Sequence, residues 1–225
     1  MTATPTTIAI IDLGVGNLRS VHKAVERAAH DRGLAVNAQV TRDAEDVVNA
    51  DRVILPGVGA FAACMAGFKA ITGLRAVLDQ IVSEGQKPVL GICVGMQILA
   101  SRGLEFGETP GLGYIPGTVM RIGGEGQSVR VPHMGWNAIK ILKPHPVCTP
   151  APGLDGADFY FLHSYHFAAE NTDAVVATCA YGAGAPLNIM VSRGNLLGVQ
   201  FHPEKSQAAG LHFLSNFLQW TVDCP

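Results

Sequence analysis

The chain has 225 residues, of which 48% are hydrophobic and 15% charged, with a net charge of −2 at pH 7. This length and composition allow one large core, so general disorder, collagen and coiled coils are excluded. Because the Lys and Arg residues are scattered, we expect no nucleic-acid partner. The five cysteines are widely spaced, and neither an export signal nor a long apolar run is visible. We therefore expect free thiols, no membrane span and a cytoplasmic protein.

The first half of the chain alternates short apolar runs with helix-like stretches, a pattern typical of βαβ units around a mostly parallel sheet. Strands are predicted at residues 8–12, 34–40, 52–55 and 87–92, the third stopping at Pro56. A helix is predicted after the first strand, where apolar residues recur at helical spacing from Leu18 to Ala28 and end near Gly33. Helical sequence also follows the third strand as far as Gly85.

The second half has shorter runs bounded by Gly and Pro, which predicts antiparallel strands. The first two are predicted at residues 117–121 and 129–131, around a turn at 123–126. Further strands are predicted at 159–167, 174–180, 188–191 and 196–201. The Pro-rich stretch 143–156 is interpreted as a surface loop between strands of one sheet system. The last predicted helix has a shared face of Leu211, Leu214, Phe217 and Leu218. We predict one domain over residues 1–225, with its core at 7–222.

The segment Gly91-Ile92-Cys93-Val94-Gly95 has the G-x-nucleophile-x-G form of a nucleophile elbow. It follows a predicted strand and precedes the helix-like run 96–100, as such an elbow requires. The glycines permit a strained turn with close neighbours, and a helix N-terminus favours a thiolate. The alternative is that Cys93 is a small buried residue at a strand-to-helix turn.

A base for this thiol is predicted near the C-terminus, in the segment Gln-Phe-His-Pro-Glu-Lys-Ser at 200–206. On an extended segment, His202 and Glu204 point to the same face, so the carboxylate can orient the imidazole. Pro203 restricts the backbone between them. Taken alone, His202 is more simply the end of a strand, but with Cys93 it favours a Cys-His-Glu triad.

Two other patterns do not support a site. His163 and His166 are three residues apart on a predicted strand, so their rings point to opposite faces and we expect no metal. Gly14 and Gly16 follow the first strand as in a dinucleotide fingerprint, but Arg19 stands where a third glycine belongs. A turn explains this glycine pair better, and we expect no cofactor.

The segments 91–97, Gly-Ile-Cys-Val-Gly-Met-Gln, and 200–206 together resemble the class I glutamine amidotransferases, and the resemblance covers the chain end to end. Three further segments, at 12–17, 132–137 and 159–165, are similar to one family among these proteins, the glutaminase subunits of imidazole glycerol phosphate synthase. Leu13 departs from that family's frequent aromatic residue, which affects only local packing. The resemblance implies a flavodoxin-like, three-layer α/β fold with an antiparallel extension.

The resemblance implies that Cys93 attacks the side-chain amide of L-glutamine, His202 moves the proton and Glu204 orients His202. It implies oxyanion donors at Val94 and, from the loop 57–59, at Val58. The implied substrate contacts are Gly57, Gly59, Gln97, Glu105, Ser164 and Tyr165. Glu105 would receive the amino group, and the backbone amides of Ser164 and Tyr165 the carboxylate. Gln97 lies four residues after Cys93, which places its amide on the same helix face.

The implied partner is a (β/α)8-barrel cyclase subunit, joined as a heterodimer and supplied with ammonia for histidine biosynthesis. Asn17, Trp136, Tyr160 and Lys205 are similar to the family's docking surface. Trp136 is the predicted anchor, the alternative being a core residue. The rival functions are a glutaminase of another amidotransferase, a stand-alone γ-glutamyl cysteine hydrolase and a catalytically silent binding module.

Overall fold

The computed structural model describes residues 4–123 and 129–222. Its helices are α1 (Leu18–His30), α2 (Ala44–Asn49), α3 (Phe61–Lys69), α4 (Leu74–Glu84), α5 (Val94–Gln97) and α6 (Gln207–Gln219). The strands of the first half are β1 (Thr6–Ile11), β2 (Val36–Thr41), β3 (Arg52–Gly57), β4 (Val89–Cys93), β5 (Arg102–Gly103) and β6 (Thr109–Pro110). Those of the second half are β7 (Gly117–Arg121), β8 (His133–Ala138), β9 (Lys140–Ile141), β10 (Asp158–His163), β11 (Tyr165–Ala169), β12 (Val175–Cys179), β13 (Leu187–Arg193) and β14 (Leu196–Val199).

An eight-stranded sheet in the order β2-β1-β3-β4-β14-β13-β12-β9 forms the centre of the molecule. The strands from β2 to β14 pair in parallel, and the others pair antiparallel. Strands β3 and β4 are apolar and almost completely buried, as expected where helices cover both faces of a parallel sheet. The helices pack in two groups, α1 with α6, and α2 and α3 with α4. The predicted fold, a mostly parallel α/β sheet with an antiparallel extension, is confirmed.

The predicted strands and helices of the first half are largely confirmed, and the structure adds two details. The helical sequence before Gly85 forms two helices: α3 ends at Lys69, and Gly73, with a φ of +79°, is the N-cap of α4, which runs in a new direction. Helix α2 was not predicted, because Val47 is its one buried residue and it has no apolar periodicity. Among the described residues no single helix is long and apolar enough to cross a membrane; α3 and α4 reach that length and composition only as a pair bent by 98°.

Three predictions for the second half are wrong. The strand at 159–167 is two strands, because the chain leaves the β8 ladder at Ser164 and joins β7, with Ile122 N–H donating to Ser164 O at 2.9 Å. Residues 129–131 form no strand, and the next strand of that region is β8. Residues 124–126 of the predicted turn lie outside the described residues. The loop 143–156 joins two different sheets, since β9 belongs to the large sheet and β10 pairs with β8.

The β8–β10 pair presents one buried and one exposed face. The alternation of side chains along a strand sends His133, Phe159, Phe161 and His163 inward, where they are at most 6% exposed. The outward residues include Met134, Trp136 and Leu162. This pair also contacts the turn at 203–205, so it bridges the protein surface and the C-terminal motif.

Candidate active site

Cys93 is the last residue of β4 and has φ +54° and ψ −111°, a conformation that costs a non-glycine residue about 1–3 kcal/mol. The turn is held by close backbone packing. A Cβ on Gly95 would lie 1.7 Å from the carbonyl oxygen of Leu55, and one on Gly91 would lie 2.6 Å from Gly95 O. Both positions therefore require glycine, and the strand-to-helix turn predicted from the sequence is present.

The helix after this turn is shorter than the sequence predicted. Helix α5 contains only four residues and ends at Gln97, and tighter turns follow, with Leu99 N–H donating to Met96 O at 3.1 Å. A helix dipole sums the peptide dipoles of several turns, so one turn contributes little. Individual hydrogen-bond donors near the Cys93 sulfur matter more than the predicted dipole.

His202 and Glu204 form a buried pair beside the thiol. Nδ1 of His202 lies 2.8 Å from Oε1 of Glu204, and each side chain is 4% exposed. The imidazole also interacts with the Cys93 side chain, and Nε2 is the ring nitrogen that Glu204 does not occupy. The predicted extended segment is wrong in detail, because residues 203–205 form a 3-10 turn that begins with Pro203. The turn nevertheless brings the carboxylate to the imidazole.

The contacts of His202 determine its charge. Burial alone would lower the pKa of His202, but the hydrogen bonds to Cys93 and Glu204 outweigh burial and raise the pKa from 6.5 to about 10. The structure therefore favours an imidazolium at neutral pH, with the proton on Nε2 facing the sulfur.

Backbone contacts fix the base to β10. His202 N–H donates to Tyr160 O at 2.9 Å. The hydroxyl of Ser206 donates to His202 O at 2.6 Å and accepts from Tyr160 N–H at 3.0 Å. Sequence reasoning missed this role of Ser206, although the residue lies in the same motif, because the contact depends on a distant strand.

A cavity of about 520 Å³ opens above Cys93. Its lining includes most of the predicted site residues: Asn17, Val58, Gly59, Cys93, Val94, Gln97, Glu105, Ser164, Tyr165, His202 and Lys205. Pro132, Leu162 and His163 also line it and were not predicted as site residues. Gly57 and Glu204 stand outside this lining, the first in the β3–β4 ladder and the second behind His202. The cavity is large enough for an amino acid.

The loop predicted to supply an oxyanion donor follows β3 directly. Gly57 pairs with Cys93 in the ladder, so Val58 and Gly59 lie at the nucleophile. The carbonyl of Val58 accepts from the Cys64 thiol at 3.6 Å. Burial raises the pKa of Cys64 to about 12, so this thiol keeps its proton as a donor. Cys64 was not singled out from the sequence.

The predicted substrate-binding residues are partly engaged within the protein. Oε2 of Glu105 accepts from Phe61 N–H at the start of α3, at 2.7 Å. Nε2 of Gln97 donates to Tyr165 O at 2.9 Å. The amide nitrogen of Gln97 is therefore used within the protein, and its amide oxygen is the atom available to bind a ligand. Ser164 and Tyr165 line the cavity between β10 and β11.

His163 uses both ring nitrogens within the protein. Its Nδ1 lies 2.9 Å from Tyr165 O and its Nε2 lies 2.9 Å from Nδ1 of His133. A carbonyl accepts only, so Nδ1 of His163 carries the proton and Nε2 accepts from His133. Burial lowers the pKa of His163 to about 3, consistent with this neutral tautomer. Neither nitrogen is free to bind a metal.

Three of the four predicted docking residues form a cluster on the exposed face of β8 and β10. Trp136 is 45% exposed, so it is a surface residue, and its ring centroid lies 6.0 Å from that of Tyr160. Nζ of Lys205 lies 5.7 Å from the Tyr160 ring centroid. Asn17 lies at the cavity and caps α1. Met134, 64% exposed, and Leu162, 38% exposed, extend this face but were not predicted.

The family model described as "Glutamine amidotransferase class-I" matches residues 10–220. The chain belongs to the class I glutamine amidotransferase family.

Two relatives point to one subfamily within this family. The chain is 49% identical over 215 residues to "Imidazole glycerol phosphate synthase subunit HisH" of Rhodospirillum rubrum, covering 95% of this chain and 98% of the relative. It is 48% identical over 214 residues to the protein of the same name from Rhizobium meliloti, with the same coverage. The resemblance found in the sequence is thereby confirmed.

Solved structures agree on the fold. A crystal structure titled as a glutamine amidotransferase superposes with a TM-score of 0.67 at 22% identity, covering 93% of this chain and 98% of that one. A glutamine amidotransferase from Thermotoga maritima gives a TM-score of 0.60 at 17% identity, covering 90% of this chain and 77% of that one.

Proposed function

We propose that the chain is the glutaminase subunit of imidazole glycerol phosphate synthase. It hydrolyses L-glutamine through a thioester on Cys93 and supplies ammonia to a (β/α)8-barrel cyclase subunit. The observation that carries this proposal is the strained Cys93 at the base of a cavity that His202 also lines, with Nδ1 of His202 2.8 Å from Glu204.

In the first half-reaction the sulfur of Cys93 attacks the side-chain amide carbon of glutamine. The S–C bond forms, and the carbonyl electron pair moves to an oxyanion that the amides of Val94 and Val58 would stabilise. The oxyanion then collapses and the C–N bond breaks. The imidazolium of His202 donates its Nε2 proton to the leaving nitrogen, so ammonia departs and a γ-glutamyl thioester remains.

In the second half-reaction neutral His202 takes a proton from water, which attacks the thioester carbon. The C–S bond breaks, the electron pair returns to sulfur, and glutamate leaves. Glu204 keeps the Nδ1–H tautomer in place through both steps. The thiolate and the imidazolium are then restored.

Substrate orientation follows from the groups around the cavity. The carboxylate of Glu105 would bind the amino group of glutamine, and the backbone amides at Ser164 and Tyr165 its carboxylate. Because its nitrogen is committed to Tyr165 O, Gln97 would offer its oxygen to the amide N–H groups of the substrate. This arrangement points the side chain of glutamine at Cys93.

Delivery of ammonia requires a partner over the cavity. Ammonia released into water at pH 7 is mostly protonated and is then no nucleophile. The exposed face of Trp136, Tyr160, Met134 and Leu162 adjoins the cavity through Leu162 and supports docking at this position. The four described cysteines are free thiols, which supports a reducing compartment such as the cytoplasm.

The test is Cys93→Ala in the reconstituted synthase. We expect loss of glutamine-dependent synthesis, while synthesis with high external ammonium continues, since only the ammonia source requires the thiol. Cys148→Ala is the matched control, because Cys148 is equally buried but contacts Met190, away from the cavity. Near wild-type glutamine hydrolysis by Cys93→Ala would exclude the thioester mechanism.

A further inference from the structure

The side chain of Gln200, a residue outside the proposed triad, contacts the nucleophilic sulfur. It follows β14, is 0% exposed, and its Nε2 lies 3.6 Å from Sγ of Cys93. Its backbone N–H donates to Ile189 O at 2.9 Å, which holds the residue against β13. The Gln200 side chain is therefore held in a fixed place beside the sulfur.

The orientation of the Gln200 amide follows from a chain of hydrogen bonds that starts at Tyr165 O. A carbonyl oxygen accepts only, so the group that Gln97 presents to Tyr165 O at 2.9 Å is its nitrogen. The same nitrogen lies 3.0 Å from the other polar atom of Gln200, which must be its oxygen Oε1. Gln200 consequently presents an N–H to the sulfur.

Reversing either amide would break this chain. A rotated Gln97 would place two oxygens against each other at Tyr165, and a rotated Gln200 would place its nitrogen against the Gln97 nitrogen. Each reversal leaves buried polar groups without partners, which costs more than a surface hydrogen bond contributes. The orientation of the donor is thus fixed by the fold.

We propose that Gln200 is a catalytic residue whose amide N–H stabilises the thiolate of Cys93, with Gln97 as the positioning residue that fixes this amide. The proposal rests on the proposed function, in which Cys93 is the nucleophile. The same N–H stabilises the sulfur when it leaves as thiolate in hydrolysis of the thioester. Hydrogen bonds to charged groups are stronger than those to neutral groups, so the donor favours thiolate over thiol and thioester.

The decisive variant is Gln200→Met, which keeps the length of the side chain and removes the N–H. The pH dependence of Cys93 alkylation by iodoacetamide is measured on the full chain by peptide mass analysis. We expect the pH midpoint of alkylation to rise by about one unit, which means ~10-fold slower alkylation at any pH below both midpoints. In the reconstituted synthase, kcat for glutamine should fall ~10-fold with KM within about twofold.

Two further variants separate this effect from a loss of folding. Asn216→Leu removes another buried amide, which donates to Val147 O at 2.9 Å, and should leave the midpoint unchanged. Gln97→Met releases the Gln200 amide and should move the midpoint in the same direction by less. If Gln200→Met does not fold, the midpoint of Gln97→Met tests the effect of the Gln200 amide on the thiol instead. The other titratable residues of the cavity, Glu105, His163, Tyr165, His202 and Lys205, and the neighbouring thiol Cys64 are retained in all variants.

An unchanged midpoint in folded Gln200→Met, or in Gln97→Met if only that variant folds, would overturn the proposal whatever the value of kcat. A shifted midpoint with unchanged kcat would also overturn the catalytic role. The alkylation comparison requires no glutamine turnover. If the wild-type synthase used no glutamine, the proposed function would fail, whereas the contact between Gln200 and the thiol would still be tested.

Discussion

Gly95→Ala tests whether backbone packing positions the nucleophile. The added Cβ would lie 1.7 Å from Leu55 O, whereas real Cβ atoms keep at least 3.0 Å, so the two segments must separate by at least 1.3 Å (3.0 − 1.7). Both are backbone, in β3 and α5, and no side chain can rotate to relieve the overlap. Overpacking of this kind costs about 1–3 kcal/mol. That corresponds to a fall of about 2–12 °C in Tm, at ~2–4 °C per kcal/mol.

The effect on catalysis should exceed the effect on stability. A misplacement of about 1 Å costs ~10²-fold in rate, so we expect kcat for glutamine to fall ~100-fold while the protein remains folded at 25 °C. Gly153→Ala is the matched control, because its Cβ would meet nothing closer than Cys148 O at 3.7 Å. The assays are thermal unfolding and glutamate release by the reconstituted synthase. Wild-type kcat in Gly95→Ala would refute the reasoning.

Three further predictions concern docking and the base. Trp136→Ala should keep the wild-type Tm and bind the cyclase subunit at least ~10-fold more weakly by calorimetry. The control is Leu142→Ala, which should bind normally, since Leu142 is 57% exposed beside β9. Equal affinities of the two variants would remove Trp136 from the docking surface. Glu204→Gln should retain more kcat than His202→Ala, because orientation is a smaller task than proton transfer; the reverse order would contradict these roles. The pKa of His202 is raised from 6.5 to about 10, so its stabilising contribution is complete below pH 6.5 and disappears as the pH rises to 10. The difference in free energy of unfolding between wild type and His202→Gln, measured in urea, should therefore shrink from pH 6.5 to pH 10. An increase of this difference with pH would contradict the raised pKa.

The parallel strands and the elbow were predictable because their signals are local. Short apolar runs predict buried parallel strands, and glycines two residues either side of Cys93 indicate a turn with close neighbours. The length of α5 was not predictable, because helical spacing continues past Gln97 while the backbone tightens after it. The break at Ser164 was missed for a similar reason, since the apolar run crosses a change of partner strand from β8 to β7.

The polar contacts of the site depend on residues distant in the sequence. Gln200 and Ser206 stand in the recognised motif, but Gln200 reaches the sulfur at 3.6 Å only because β14 lies beside β4. Ser206 reaches Tyr160 N–H at 3.0 Å only because β10 passes over the turn at 203–205. Alternation along the strand places Gln200 and His202 on one side, which is the signal that could have indicated Gln200 as a neighbour of the thiol.

Strand β10 joins the proposed docking surface to His202 and Gln200, the two side chains proposed to act on the sulfur. Its Tyr160 carries a half-buried ring beside Trp136, while its carbonyl accepts from His202 N–H at 2.9 Å. At the end of the strand, His163 donates to Tyr165 O, the same oxygen that orients Gln97 and through it Gln200. A partner that displaces β10 would therefore move the base and the amide donor together. Because interior packing leaves little free space, a cyclase docked on this face has a direct physical route to the nucleophile.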